Sequence, residues 1–192
     1  TGGVFQPGAS HEAVVRFSNG SPDPGSPDAK GDTRGMAIKL FGVKGEKLFP
    51  DPGNPDAQDF ILISSPNFFI NSARNYSRFF DAVNSGALLK LAGIPFYLGV
   101  QGGLQAVRML RQTIANPLET RYWSVVPSQL GEGAARQAVK LSVRPLGPAT
   151  STIPANPARD FLRAAMVRTL MQGPRQMEFL VQRCGDSGLS VE

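Results

Sequence analysis

Apolar and polar residues alternate from Glu12 to Ser18, with Val15 and Phe17 on one side and Val14, Arg16 and Ser18 on the other. A period of two is the signature of a strand. After a turn-rich loop from Asn19 to Gly31, which carries three prolines and three glycines, Gly35 to Phe41 repeats the pattern with Met36, Ile38 and Leu40 on one face. Two strands joined by one loop are expected to be antiparallel neighbours. The run Asp59-Phe60-Ile61-Leu62-Ile63 is continuously apolar after its first residue and reads as a short strand buried on both sides. Arg121 to Val126, Val139 to Arg144 and Met177 to Gln182 complete the strands. In the second of these, Val139, Leu141 and Val143 alternate with Lys140, Ser142 and Arg144.

Helical spacing appears in three places. Ser72 is positioned to cap a helix over Ala73 to Asn84, ended by Gly86, with Tyr76, Phe79, Phe80 and Val83 as its inner face. Pro95 opens a second helix towards Ala115, weakened by glycines in its first half. Asn156-Pro157 reads as a cap followed by a first-turn proline. The helix runs to about Gln172, with Leu162, Ala165, Met166, Thr169 and Leu170 as its buried stripe. Strands with long irregular loops and interspersed helices predict an α+β fold around an antiparallel sheet or barrel. No internal repeat is visible. A start without Met and an end directly after a strand make the chain read as incomplete at both ends, with residues 1–192 forming a single domain.

Composition narrows the function classes. The chain is 41% hydrophobic and 18% charged, enough apolar material for a core. Its net charge of +5 admits nucleic acid, anionic membrane or an anionic small ligand as partner. Lys and Arg are spread from Arg16 to Arg183 without a dense run, which argues against nucleic acid. Lys90, Pro95 and Gln101 interrupt the apolar stretch Ala87 to Val107, so it reads as a pair of buried or channel-lining helices and not as a membrane span. Cys184 is the only cysteine and His11 the only histidine. An intrachain disulfide and metal sites of several Cys or His are therefore excluded within the chain. The cysteine usage is compatible with a reducing compartment and leans towards the cytoplasm. His11, in a Ser-His-Glu stretch, reads as a surface or turn residue, and no Ser-His-Asp arrangement is supportable. Asp51, Asp56 and Asp59 lack a calcium-loop pattern and read as a solvated acidic loop.

The most informative residues are charges within apolar strands, because a buried unpaired charge is very costly. Arg16 lies inside the first strand, and Asp32 and Arg34 stand at the mouth of the second. Arg16 either pairs with Asp32 or another acid, or meets an anionic ligand. Asp32 and Arg34 are expected to hold the corner between loop and strand.

Three runs in order, Val14-x-Arg16-Phe17-Ser18, Asp32-x-Arg34-Gly35-x-Ala37-x-Lys39 and Pro66-x-Phe68-Phe69-Ile70, resemble a core of the catalase superfamily. The chain is most similar to the shorter bacterial catalase-like heme proteins. The likeness covers Gly3 to Phe80 and is fainter, in the same order, over Arg121 to Arg144 and Met177 to Glu192. It implies a β-barrel with packed helices around heme b, and an oxidoreductase acting on hydrogen peroxide or organic hydroperoxides. It also implies that Arg16 binds a heme propionate beside the small Ser18, that Phe68 and Phe69 line the distal side, and that Tyr76 and Phe79 flank the heme. Homo-oligomers are common among catalases, so self-association belongs to the same expectation.

The departures from that family are specific. Its distal catalytic His lies several tens of residues before the arginine, upstream of residue 1, and His11 is too close to serve. The tyrosine that ligates iron in true catalases comes from a later segment. The distal Asn falls at Ile63, or at Ser64 with a one-residue shift, and an isoleucine cannot orient peroxide by hydrogen bonding. Slower peroxidase chemistry and rearrangement of fatty-acid hydroperoxides both stay open, as does a barrel that binds an apolar ligand without redox chemistry.

Overall fold

Strand β1 (Ala13–Asn19) pairs antiparallel with β2 (Arg34–Leu40), with Arg16 opposite Ala37 and Ser18 opposite Gly35. This is the neighbour relation that the alternation predicts. The computed structural model describes residues 3–21, 23–45, 52–70, 72–85 and 94–184. Strand β3 (Gln58–Ile63) pairs with β2, and β4 (Tyr122–Ser124) pairs with β3, placing Trp123 opposite Ile63. Strand β6 (Gln137–Pro145) carries β4 and the short β5 (Ser128–Leu130) along one side and β7 (Met177–Arg183) along the other. The result is a seven-stranded antiparallel sheet. Among the described residues no pairing joins β1 to β7, so the sheet is open.

The sheet is strongly curled. Strands three places apart in a flat sheet would be about 14 Å apart. Yet the rings of Phe17 on β1 and Tyr122 on β4 are 5.9 Å apart, and those of Phe60 on β3 and Phe179 on β7 are 4.9 Å apart. The concave face encloses Met36, Leu62, Tyr122 and Val143, all of them buried. Burial on this scale, at roughly 1.5–3 kcal/mol for each large side chain, is what drives the curl.

Strand β3 corrects one expectation. It is buried on one side only: Leu62 is buried, whereas Ile61 is 63% exposed. An unbroken apolar run hides which of its residues face the core.

Helix α1 spans Ala73–Ser85, and Ser72 Oγ accepts from Asn75 N at 3.2 Å, the expected cap. Its buried residue is Ala82; Tyr76 and Phe80 are partly exposed, so the expected inner face is only half covered. Gly86, the expected stop, and the side chain of Val83 lie outside the described residues. Helix α2 spans Ile94–Arg111 and bends at Gly99, whose φ of 64° only glycine adopts without strain. Of the expectation of buried or channel-lining helices over Ala87 to Val107, the buried alternative is not met in the described part, whereas Leu98, Gln101 and Leu104 do line a cavity. Phe96 and Val100 on α2 are highly exposed, and residues 86–93 lie outside the description. No helix among the described residues is long and apolar enough to cross a membrane.

Helix α3 spans Phe161–Met171, starting later than Asn156-Pro157. The local cap residue, Asp160, makes no side-chain cap bond. The carboxylate of Asp28 does that work instead, accepting from Leu162 N at 3.0 Å, while Asp28 N donates to Arg159 O at 2.8 Å. The helix begins where that distant acid meets it and where Phe161 and Leu162 become buried against Ile114. Leu162, Ala165 and Thr169 of the expected stripe are buried; Leu170 is exposed.

Candidate functional site

In an antiparallel ladder, directly paired residues share a face. The convex face of the sheet therefore carries Arg16 with Ala37 and Ile61 in one row, and Ser18, Gly35, Ile63, Trp123 and Ser142 in the next. Its β1–β2 part is floored by small residues. A Cβ at Gly35 would lie 2.5 Å from Ser18 Oγ, so a larger residue there would make that hydroxyl rotate away. The result is a smooth shelf with Val14 and Ile61 open beside it.

Arg16 is exposed, not buried, which corrects the expectation of a charge enclosed by the strand. Neither does it pair with Asp32: among the described residues no ion pair or hydrogen bond engages it. Three other cations on this face are occupied, while Lys140, on the same face of β6, donates only to Pro66 O. Lys39 pairs with Asp59 at 3.1 Å and Arg144 with Glu178 at 2.6 Å. Arg121 lies over the Trp123 ring, 5.1 Å from its centroid, and donates to Ser142 Oγ.

The enclosed charge is Arg34, whose side chain is 3% exposed. Its Nη2 donates to Asp28 O at 2.7 Å and Lys30 O at 3.1 Å, and its Nη1 lies 3.5 Å from Asp32 Oδ2. Asp32 Oδ2 in turn accepts from Gly20 N and Ser21 N. Asp32 and Arg34 thus hold the corner between loop and strand, as the sequence predicts.

Ser64 belongs to the same corner. Its Oγ accepts from Arg34 N and donates to Gln112 Oε1 at 2.9 Å, while Gln112 Nε2 donates back to Ser64 O at 2.7 Å. Whether the distal Asn position falls at Ile63 or Ser64, no free hydroxyl results. Ile63 has none, and that of Ser64 clips the end of α2 to β3.

Phe69, Tyr76 and Phe79 do come together, in a cluster with Phe68 and Phe80. The Phe68–Phe69 centroids are 4.7 Å apart, Phe69–Phe79 5.1 Å and Phe68–Tyr76 6.0 Å. Tyr76 is 43% exposed, so the cluster is a wall and not a sealed core. Arg16 and Ser18 share their own surface, and no ring contact, ion pair or hydrogen bond joins them to this cluster among the described residues.

No protein-family model matches this chain, and no curated protein matches it.

The remaining candidates resolve into structure. His11 Nδ1 is 3.1 Å from Phe41 O, and Cys184 is exposed at the end of β7. Among the described residues no group of three His, Cys, Asp or Glu side chains is arranged to hold a metal ion. The Tyr122 hydroxyl, on the concave face, donates to Pro117 O, and burial pushes its pKa above the ordinary phenol range. Gln105 and Gln112, seven residues apart and so on one helical face, anchor α2 to Ser65 and Ser64. Sequence reasoning assigned neither of them a role, although their two-turn spacing was readable.

Proposed function

We propose that this chain is the heme-binding part of a catalase-like oxidoreductase, in which a barrel completed around the curled sheet acts on hydrogen peroxide or organic hydroperoxides. One observation carries the reading: Arg16 projects, without an acid partner among the described residues, from a shelf floored by Ser18, Gly35 and Ala37. A flat macrocycle needs such a floor, and a propionate needs a guanidinium fork that no carboxylate already occupies. These residues fit the propionate edge of heme b. Bound heme would supply the iron that activates the O–O bond.

The chain's own contributions are positional. Arg16 holds the carboxylate edge, and Ile61 and Ile63 keep water from the shelf. Phe69, Tyr76 and Phe79 supply an aromatic wall. No imidazole, phenol or thiol of the described residues stands on the convex rows around Arg16, so the reading assigns no axial ligand within them. The lack of a free hydrogen-bonding side chain at Ile63 or Ser64 favours peroxidase chemistry or hydroperoxide rearrangement over fast dismutation. Product analysis with a fatty-acid hydroperoxide separates those two.

The test is reconstitution with hemin. The native chain is expected to give a Soret band, and Arg16→Ala is expected to weaken retention about tenfold, the loss of one charge-assisted bond. Because Arg16 is exposed and unpaired, folding is unaffected and the readout is clean. No Soret band, or equal retention by the variant, would reject the assignment.

A second reading, a barrel that carries a small apolar ligand without redox chemistry, has its own support. A cavity of about 280 Å³ on the concave side is lined by Val15, Phe17, Ile38, Met177 and Phe179. Phe17→Trp would fill it. Loss of a copurifying neutral lipid in that variant, with no Soret band in the native chain, would select this reading instead.

A further inference from the structure

A second cavity, of about 630 Å³, lies between the Phe68–Phe69 turn, helix α2 and the segment that follows β4. Its walls include Phe69, Leu98, Leu104 and Val126, and two cations line it, Arg108 and Lys140. No Asp or Glu among the described residues lines it. Its size is that of a site for a small organic ligand.

The cations are not neutralised. Lys140 Nζ donates one hydrogen to Pro66 O at 2.5 Å, which fixes the ammonium and leaves its other two hydrogens free. Neither Lys140 nor Arg108 has a carboxylate partner among the described residues. Burial also draws the Lys140 pKa below its ordinary value, the mark of an ammonium that has lost water without gaining an anion.

The wall beside them is held firmly. Gln105 Nε2 donates to Ser65 Oγ and to Asn67 O, both at 3.0 Å. Gly102 lets α2 sit directly on the Phe69 carbonyl, since a Cβ there would come within 2.7 Å of that oxygen. A pre-formed cleft lined by both polar and apolar residues, with Lys140 held in place, Arg108 beside it and no carboxylate among the described residues that line it, suits a ligand with an apolar body and one anionic end.

We propose that this cavity binds an amphiphilic organic carboxylate, its carboxylate held by Lys140 and Arg108 and its hydrocarbon body against Phe69, Leu98, Leu104 and Val126. The site uses neither Arg16 nor Ser18 and does not depend on heme, although Phe69 also belongs to the aromatic wall of the heme reading.

The experiment is calorimetric titration of the full chain with dodecanoate and, separately, with dodecanol, both below their aggregation limits. Dodecanoate is expected to bind about tenfold more tightly than dodecanol, the difference a charge-assisted pair makes. Lys140→Met and Arg108→Gln are each expected to weaken dodecanoate about tenfold, while Lys140→Arg stays within about threefold. Arg16→Ala is expected to leave dodecanoate binding unchanged, and Lys140→Met to leave hemin retention unchanged, so the two sites fail or survive independently. Equal binding of acid and alcohol would overturn the proposal. So would absence of dodecanoate binding, or full affinity in Arg108→Gln, an exposed position where folding is not at stake.

Discussion

Two arginines on neighbouring strands look alike in sequence, and replacing each with methionine tests how differently the fold uses them. Methionine keeps an unbranched apolar stem and removes the guanidinium. At Arg34 the loss is two charge-assisted bonds, to Asp28 O at 2.7 Å and Lys30 O at 3.1 Å, plus the 3.5 Å contact with Asp32. Each such bond is worth about 1.5–3 kcal/mol. Relief from burying a guanidinium whose Nε has no acceptor offsets part of this sum. The carbonyls left behind, and Asp32 deprived of its counter-charge, add to the loss. A net destabilisation of about 3 kcal/mol follows. With a urea m-value of about 2 kcal/mol/M, the unfolding midpoint falls by about 1.5 M. At Arg16, exposed and unpaired, Arg16→Met is expected to stay within about 0.5 kcal/mol of the native chain. Urea titrations followed by circular dichroism measure both. A midpoint in Arg34→Met within about 0.3 M of native, or an Arg16→Met as unstable as Arg34→Met, would show that the burial argument assigns the wrong charge to the corner.

Two further perturbations probe the supports of the fold. Gln112→Ala removes both bonds to Ser64 and is expected to lower stability by about 1–2 kcal/mol, with amide exchange accelerating first in the last turn of α2; uniform acceleration across the sheet would contradict a local clip. Glu119 is pushed up by burial but drawn down further by bonds from Ser151 and Thr150, so its net pKa lies below 4.5. A depressed carboxylate contributes stability that is present above its unfolded pKa and lost as pH falls through the folded one. Glu119→Gln is therefore expected to be less stable than native at pH 7, by no more than about 1 kcal/mol so near solvent, and to match it once the native carboxyl is protonated. A gap in thermal midpoint that is unchanged between neutral and strongly acid solution would run against this linkage.

Local pattern carried the elements whose determinants are local. The alternations around Phe17, Met36 and Val143 gave strands with the expected core faces, and Ser72 capped its helix. What stayed hidden depends on distant partners. Strand β5 is three residues, Ser128–Leu130, without periodicity, and exists because β6 offers it an edge. The start of α3 is set by Asp28, 134 residues before Leu162. Whether Arg16 or Arg34 is enclosed turns on the backbone of Asp28 and Lys30 folding over one of them. The same divide runs through the candidate sites. Arg16 and Ser18 on one face, and Tyr76 and Phe79 one helical turn apart, were readable from spacing, whereas Phe69 beside them was expected only from the resemblance. The meeting of Arg108 with Lys140 across one cavity, from a helix and a strand, was not.

The two faces of the sheet answer to different constraints. The concave face is dictated by packing: Leu62 and Tyr122 have no surface left to give, and truncating either would open a cavity. The convex shelf owes nothing to that core, yet it keeps Ile61 and Val14 in water and carries a glycine, Gly35, opposite Ser18. Stability alone would favour polar residues at both exposed positions and a β-branched residue in place of the glycine. An apolar surface carrying an arginine that has no acid partner among the described residues is poorly suited to water, and the hydrophobic, acidic guest proposed above would account for it. The packed concave side holds that surface in its curved form, and hemin reconstitution of the native chain and of Arg16→Ala decides whether the surface serves the proposed guest.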